Sequence, residues 1–419
     1  MKILLYISSI VVFLFTGLFY FQENIFAEWR GHQLAYLRQL KQINQDSEHQ
    51  EEENLSIKLQ QIYLPEMNRI DRCVSCHVTI EDPRFADKKN PLKTHPGNYL
   101  EKHDPEKFGC TICHDGQGRA IVWDDVRADS KEKFWEKPII KKPFLEANCF
   151  RCHVKPLSET PTYNRGKYLF ETSGCLGCHK RDGRGGYLAA ELRGLGDASV
   201  HQKYPTNSLD PKLLPKFNYN RNLAYIYESV RFPKAQPEDS VMFDFKFSHD
   251  DALALTVYLK SLSIKQPGIE KLPQEPEKPL TLLARGKKTF QLFCSACHGE
   301  NGKGGVKNRN YQKDVMPTLN LIAEKMFLYE KEDADAVIEA INEFGDLNLT
   351  DPEPDIPGFN RVLAQFTAVR DIILNGNSAA KKDPEGPAPF NMPSWRKSIP
   401  RKDVTSTIAF MISLYDFEE

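Results

Sequence analysis

The ten cysteines of this chain fall into five pairs of one spacing: Cys73/Cys76, Cys110/Cys113, Cys149/Cys152, Cys175/Cys178 and Cys294/Cys297. Each pair is followed at once by a histidine (His77, His114, His153, His179 and His298), and no cysteine is left over. With 11 histidines in 419 residues, five such placements by chance have odds on the order of 10⁻⁸. Two thiols on one helical turn can each form a thioether with a vinyl group of haem, and the next imidazole then lies beneath the iron as its proximal ligand. A zinc site would complete its tetrahedron with a second, distant pair, and a redox dithiol or disulfide would not require the histidine. The pattern therefore reads as five covalently bound haem c groups, each with its iron. Two more histidines, His95 and His103, stand in "THPGNYLEKHDP", just upstream of the second motif.

Haem c implies export, because the haem is attached outside the cytoplasm. Ile3 to Phe21 is 19 residues without a charge, enough to cross a bilayer core of about 30 Å at about 1.5 Å per residue. Residues 1–27 read as an uncleaved single-pass anchor; a cleaved signal, with a weak site after Ala27, is the alternative. The expected place is the cytoplasmic or an equivalent energy-transducing membrane, with the soluble part facing the periplasm or lumen. Lys plus Arg (56) and Asp plus Glu (57) nearly cancel, so there is no basic excess for nucleic acid. Mean hydropathy is −0.51 despite the apolar segment, so the remainder is water-soluble.

The elements that must position the motifs differ along the chain. In residues 28–66, Tyr36, Leu40 and Ile43, then Leu55, Leu59 and Ile62, recur at helical spacing and predict a helical stalk ended by Pro65. His32 and His49 lie on it and read as solvated polar residues. Residues 67–160 carry three motifs, too dense for three separate cores, which predicts a loop-rich module of three haems packed on one another. Further on, "NRGKYLFETSGCLGCH" is echoed by "ARGKKTFQLFCSACH", and each copy closes on an apolar helix, "SHDDALALTVYLKSL" or "RKDVTSTIAFMISLYDF". The chain is internally duplicated. The copies run 161–264 and 281–419, joined at 265–280 by a Pro-rich, semi-rigid linker. Asp314 to Gln365 reads as an insertion. From Glu330 to Asp355 it holds ten acids against one lysine, a solvated face or a docking surface for a basic cytochrome.

The duplicated unit resembles class I, mitochondrial-type cytochrome c domains. That resemblance implies two α-helical domains in which Gly166 and Phe170 face Tyr258 and Leu259, and Gly286 and Phe290 face Phe410 or Leu414. It also implies a distal methionine shortly before the last helix. Met242 in "DSVMFDF", where Phe243 replaces the usual proline, and Met392 in "NMPSW" stand there. Met316 in "VMPTL" competes in the second copy, although relatives cover the proximal side at that point.

In the N-terminal half, "RIDRCVSCHVTIEDPRF", "THPGNYLEKHDPEKFGCTICHDGQGRA" and "NCFRCHV" resemble the multihaem cytochromes that accompany cytochrome b and Rieske proteins in some bacteria. In that group two histidines also precede the second motif. The resemblance implies that His95 and His103 are sixth ligands of tri-haem irons, brought within reach by chain that the prolines keep extended. Relatives place a further histidine after an alanine, whereas Ala128 here is followed by Asp129. One iron is left for Met67, Lys131, Lys133, His201 or His249, or is open to nitric oxide, nitrite or hydroxylamine.

The expected protein is mainly α: an N-terminal transmembrane helix, a stalk, a tri-haem module and two class I domains. Its expected role is electron transfer rather than catalysis. Low-potential bis-histidine haems would feed higher-potential His/Met haems, and electrons would leave by a mobile C-terminal domain. By resemblance, the donor is a quinol-oxidising cytochrome b/Rieske complex and the acceptor a soluble redox carrier or reductase. The alternatives are an electron-entry subunit of a terminal reductase and an oxidoreductase subunit whose open haem acts on a small nitrogen compound.

Overall fold

A computed structural model describes residues 2–45, 56–127, 138–197, 210–217, 220–235, 240–263, 278–348 and 355–417. The chain divides into two compact units. The first holds Met1–Lys155, Ala198–Glu228 and Lys265–Leu272; the second holds Pro156–Asp197, Ser229–Ile264 and Pro273–Glu419. About half of the structure is helical, with little strand.

In the first unit, helix α1 (Lys2–Asn24) keeps its apolar side chains exposed along its whole length and is long and apolar enough to cross a membrane. Helix α2 (Glu28–Gln45) buries one stripe, Trp29, Gln33, Tyr36 and Leu40, spaced three to four residues apart. Tyr36 and Leu40 pack with Phe85 and Leu92 and are edged by Val78, the residue after the first motif. The Tyr36 and Phe85 rings lie 5.2 Å apart. Each buried apolar side chain contributes roughly 1.5–3 kcal/mol, so α2 is part of the unit's core and not a free spacer.

The expected stalk is also shorter than 28–66. Residues 56–61 are not helical, and β1 (Ile62–Leu64) pairs antiparallel with β2 (Arg69–Asp71), Tyr63 opposite Ile70. Side chains hold this stretch extended. Gln33 Oε1 accepts from the Lys58 N–H at 3.1 Å, and Ser75 Oγ accepts from the Gln60 N–H at 2.8 Å. A backbone bonded this way has no i−4 partner to find, and that overrides the periodicity of Leu59 and Ile62. His49 lies outside the described residues. Among those from 56 to 155, no helix exceeds five residues, as a loop-rich module requires.

The second unit is built on crossed helices. Helix α3 (Pro161–Thr172) crosses α4 (His249–Lys260), and α5 (Leu282–Phe293) crosses α8 (Arg401–Ile412). Ser248 caps α4 by accepting from the Asp251 N–H at 3.1 Å, and Thr281 caps α5 from Ala284 N–H at 3.3 Å. Both crossings depend on a glycine. A Cβ on Gly166 would stand 2.0 Å from the Ala254 carbonyl oxygen, and one on Gly286 would stand 1.9 Å from that of Ser406. Phe170 meets Tyr258 at 4.9 Å and Phe290 meets Phe410 at 5.5 Å between ring centres. Tyr258 and Phe410 are among the partners that the resemblance to class I domains implies.

Helices α3 and α5 also touch each other. The crossed helices of both copies thus pack in one unit, which disagrees with an independently mobile C-terminal domain. The reason is close backbone approach: a Cβ on Gly174 would lie 2.4 Å from the Ala296 nitrogen. Most of the Pro-rich linker, 264–277, lies outside the described residues.

The supposed insertion is no mere surface loop. Helix α6 (Lys331–Phe344) buries Ala334, Val337 and Ile341 and exposes Glu332, Asp335, Glu339 and Glu343; α7 (Phe359–Asn375) follows, and both pack on α8. Asp346 ties them together, bonding Arg370 at 2.9 Å and Arg401 at 3.0 Å.

Candidate functional site

The same local geometry recurs at all five motifs. The histidine N–H donates to the carbonyl of the first cysteine, at 2.9 Å for His77 to Cys73 and 3.0 Å for each of the other four. A single tight turn therefore carries two thiols and an imidazole. Cys73, Cys76, Cys110, Cys113, Cys149, Cys152, Cys175, Cys178, Cys294 and Cys297 are all free thiols, so no disulfide competes with thioether formation.

The third motif makes the same turn at the end of a short helix. That helix (Glu146–Cys149) ends on the first cysteine, and Cys152 follows in the turn, its N–H 3.3 Å from the Cys149 carbonyl. Phe150 leaves helical geometry at ψ 8°, in a segment whose Asn148 and Arg151 side chains are drawn to the second motif. Cys152 itself lies within electrostatic reach of Cys113 of that motif.

Carbonyls fix several of the histidine rings. Nδ1 of His179 lies 2.8 Å from Ala190 O, Nδ1 of His298 lies 2.9 Å from Pro317 O, and His77 bonds Pro91 O. A carbonyl can only accept, so Nδ1 carries the proton and Nε2 is left with its lone pair for a metal. Burial lowers the pKa of His77, His114, His179 and His298, which favours the neutral imidazole that a metal needs.

His95 and His103 have the same preparation. Their Nδ1 atoms lie 3.2 Å from Pro96 O and 3.1 Å from Tyr99 O. His95 faces the second-motif His114 with ring centres 6.2 Å apart, and His103 faces the third-motif His153 at 6.1 Å. Two metal–nitrogen bonds of about 2 Å, plus about 1 Å from each nitrogen to its ring centre, add to about 6 Å. The spacing fits one metal ion between each pair of rings. The order of pairing, His95 with the second motif and His103 with the third, could not be read from sequence.

Residues that the sequence analysis did not single out hold these motifs together. Asp71, fully buried, accepts from the N–H groups of Cys110 (2.6 Å) and Thr111 (2.9 Å) and from the Thr111 hydroxyl (2.8 Å), capping the second-motif turn. A Cβ on Gly109 or Gly118 would collide with that carboxylate. Arg151, between Cys149 and Cys152 of the third motif, bonds Asp115 at 2.6 Å, with side chains only 3% and 4% exposed, and also donates to Ile112 O. Asn148, just before Cys149, donates to Cys113 O at 2.7 Å and to Asp115 at 3.2 Å. The third motif is thus bolted to the second by its own variable residues.

Neighbouring motifs also meet at sulfur. Cys73 and Cys110 are within hydrogen-bonding reach of each other, as are Cys178 and Cys297. The Phe243 and Phe390 rings, 5.6 Å apart, bring the two methionine-bearing segments of the second unit together.

Residues 163–263 and 283–350 each match the cytochrome c family model. These matches support a c-type cytochrome. No curated protein and no solved structure matches the chain. The cytochrome c family implies covalently bound haem c and haem-based electron transfer; the second unit contains the whole of the later matched segment and, apart from residues 198–228, the earlier one.

Met242, inside the first matched segment, precedes α4 and is half-buried; Met392, beyond the second, precedes α8 and pairs its backbone with Asn377. Met316 is buried, but its neighbour Pro317 supplies the carbonyl that holds His298. That puts the 316–317 segment on the proximal side, away from a distal role. Of the other residues considered as ligands, Met67 is half-buried in a turn and His249 is exposed at the start of α4. Lys131, Lys133 and His201 lie outside the described residues, as do Ala128 and Asp129.

Proposed function

We propose that the chain is a membrane-anchored penta-haem cytochrome that carries electrons on the periplasmic or lumenal side, between a quinol-oxidising cytochrome b/Rieske complex and a soluble carrier or reductase. The observation that carries this reading is the pair of facing imidazoles, His95/His114 and His103/His153, at a spacing that suits one iron each. Haem held at the five motifs would alternate between ferric and ferrous iron and so take up and release single electrons. The chain's own residues do the rest. Asp71, Asp115 and Arg151 hold the second and third motifs in register, and the carbonyls of Ala190 and Pro317 orient His179 and His298.

Histidine-only ligation in the first unit and His/Met ligation by Met242 and Met392 in the second would give a potential that rises from one unit to the other. Helix α1 supplies the anchor, with its N-terminus on the cytoplasmic side. Intact-protein mass spectrometry tests the count: five haem additions are expected, and three or fewer would refute it. Proteins recovered with the chain in mild detergent would identify the donor, and a redox titration giving all five haems one potential would refute the gradient.

A further inference from the structure

His95 and His103 face the second and third motifs, so the first motif needs a different sixth ligand. Helix α2 runs alongside it. Gln33, fully buried, donates from Nε2 to the carbonyl of Ser75, inside the first motif, at 3.0 Å, and to Lys58 O at 2.9 Å. Glu28 is within electrostatic reach of Cys76, and His32 is within reach of His77. One turn beyond Gln33, Tyr36 packs on Phe85. His32 therefore lies on a helix clamped to the first motif on both sides, and it is not the solvated stalk residue its sequence context suggests. Its side chain is 30% exposed, and its Nε2 lies 3.7 Å from Glu28 Oε1. Glu28 is itself held by the Trp123 N–H at 2.9 Å.

We propose that His32 is the sixth ligand of the iron held by His77. This rests on reading Cys73 and Cys76 as a haem attachment site. Only seven residues separate His32 from Asn24, the last residue of α1, and 25–27 of these form the short break before α2. The first haem site then stands at the membrane end of its unit, where an electron from a membrane-embedded donor would arrive.

The test uses full-length holoprotein and low-temperature electron paramagnetic resonance. His32→Ala is expected to convert one iron in five from low-spin to high-spin, and added imidazole is expected to reverse the change. His32→Met is expected to stay low-spin with one midpoint potential raised. A His32→Ala spectrum identical to wild type would overturn the proposal, as would a high-spin signal that added imidazole does not reverse. The mass of the peptide carrying Cys73 and Cys76 reads haem attachment separately; a peptide without haem would overturn both this ligand and the five-haem count.

Discussion

The contact between Arg151 and Asp115 gives a quantitative test of how the first unit is held together. Arg151→Met keeps the aliphatic bulk and removes the guanidinium, leaving the Asp115 carboxylate, 4% exposed, without the cation 2.6 Å away. Removing one partner of a buried ion pair costs about 3–5 kcal/mol. Losing the bond to the Ile112 carbonyl adds about 1 kcal/mol. The double variant Asp115→Asn, Arg151→Met removes both charges of the pair and should recover most of this loss, with an interaction energy of about 2–3 kcal/mol. Urea unfolding of the holoprotein, followed by haem absorbance, gives all three values. A loss under about 1 kcal/mol for Arg151→Met, or a double variant as unstable as the sum of its singles, would show that this pair does not bolt the second and third motifs together.

Three further outcomes are expected. His95→Ala and His103→Ala should each turn one iron in five high-spin, and the double variant two; spectra unchanged in either single variant would remove that histidine from ligation. Met392→Ala should alter the spin state or potential of one haem. Met316→Ala should leave every haem spectrum unchanged while destabilising the fold by about 2–5 kcal/mol through its buried cavity; the reverse pattern would exchange their roles. Gly286→Val should cost about 1–3 kcal/mol or more in thermal or chemical unfolding, because its Cβ meets Ser406 O at 1.9 Å, whereas Gly31→Ala, in open helical space, should gain about 0.5–1 kcal/mol. Equal effects would refute the glycine-dependent crossing.

What could be read from the sequence was what covalent chemistry or close packing forces into a short window. The Cys-x-x-Cys-His pattern is compact and local, so all five copies were visible, and the cytochrome c matches cover two of them. Gly166 and Gly286 pointed to their partners through the resemblance to class I domains, and the crossings at backbone distance show why glycine stands there. The pairing of His95 with His114 and of His103 with His153 could not be read, because it joins loops through the fold and leaves no periodicity. Asp71 and Asp115 were missed for the same reason: a carboxylate that caps a turn 39 residues away looks like any other loop acid. The packing of α2 was missed because nothing in its sequence shows that Gln33 bonds the first motif or that Tyr36 meets Phe85. Helix α7 was hidden inside an insertion judged by its charge, although its buried Val362, Phe366 and Ile373 follow helical spacing.

The two units solve one problem by different physics. In each, adjacent motifs meet at their cysteines, Cys73 with Cys110 in the first and Cys178 with Cys297 in the second. Helices can set such a contact by ridge, groove and glycine, and the second unit does so, with Gly174 against the backbone at Ala296. Short loops have no ridges. A loop-built module must fix orientation with directional polar contacts, and a buried polar group is tolerable only when it is satisfied. That is why carboxylates, an arginine and an asparagine cluster where the second and third motifs meet, and why Arg151 and Asn148 lie within or directly before a motif. Spacing between neighbouring sites is then set at the attachment points themselves. The length of the intervening chain does not set it.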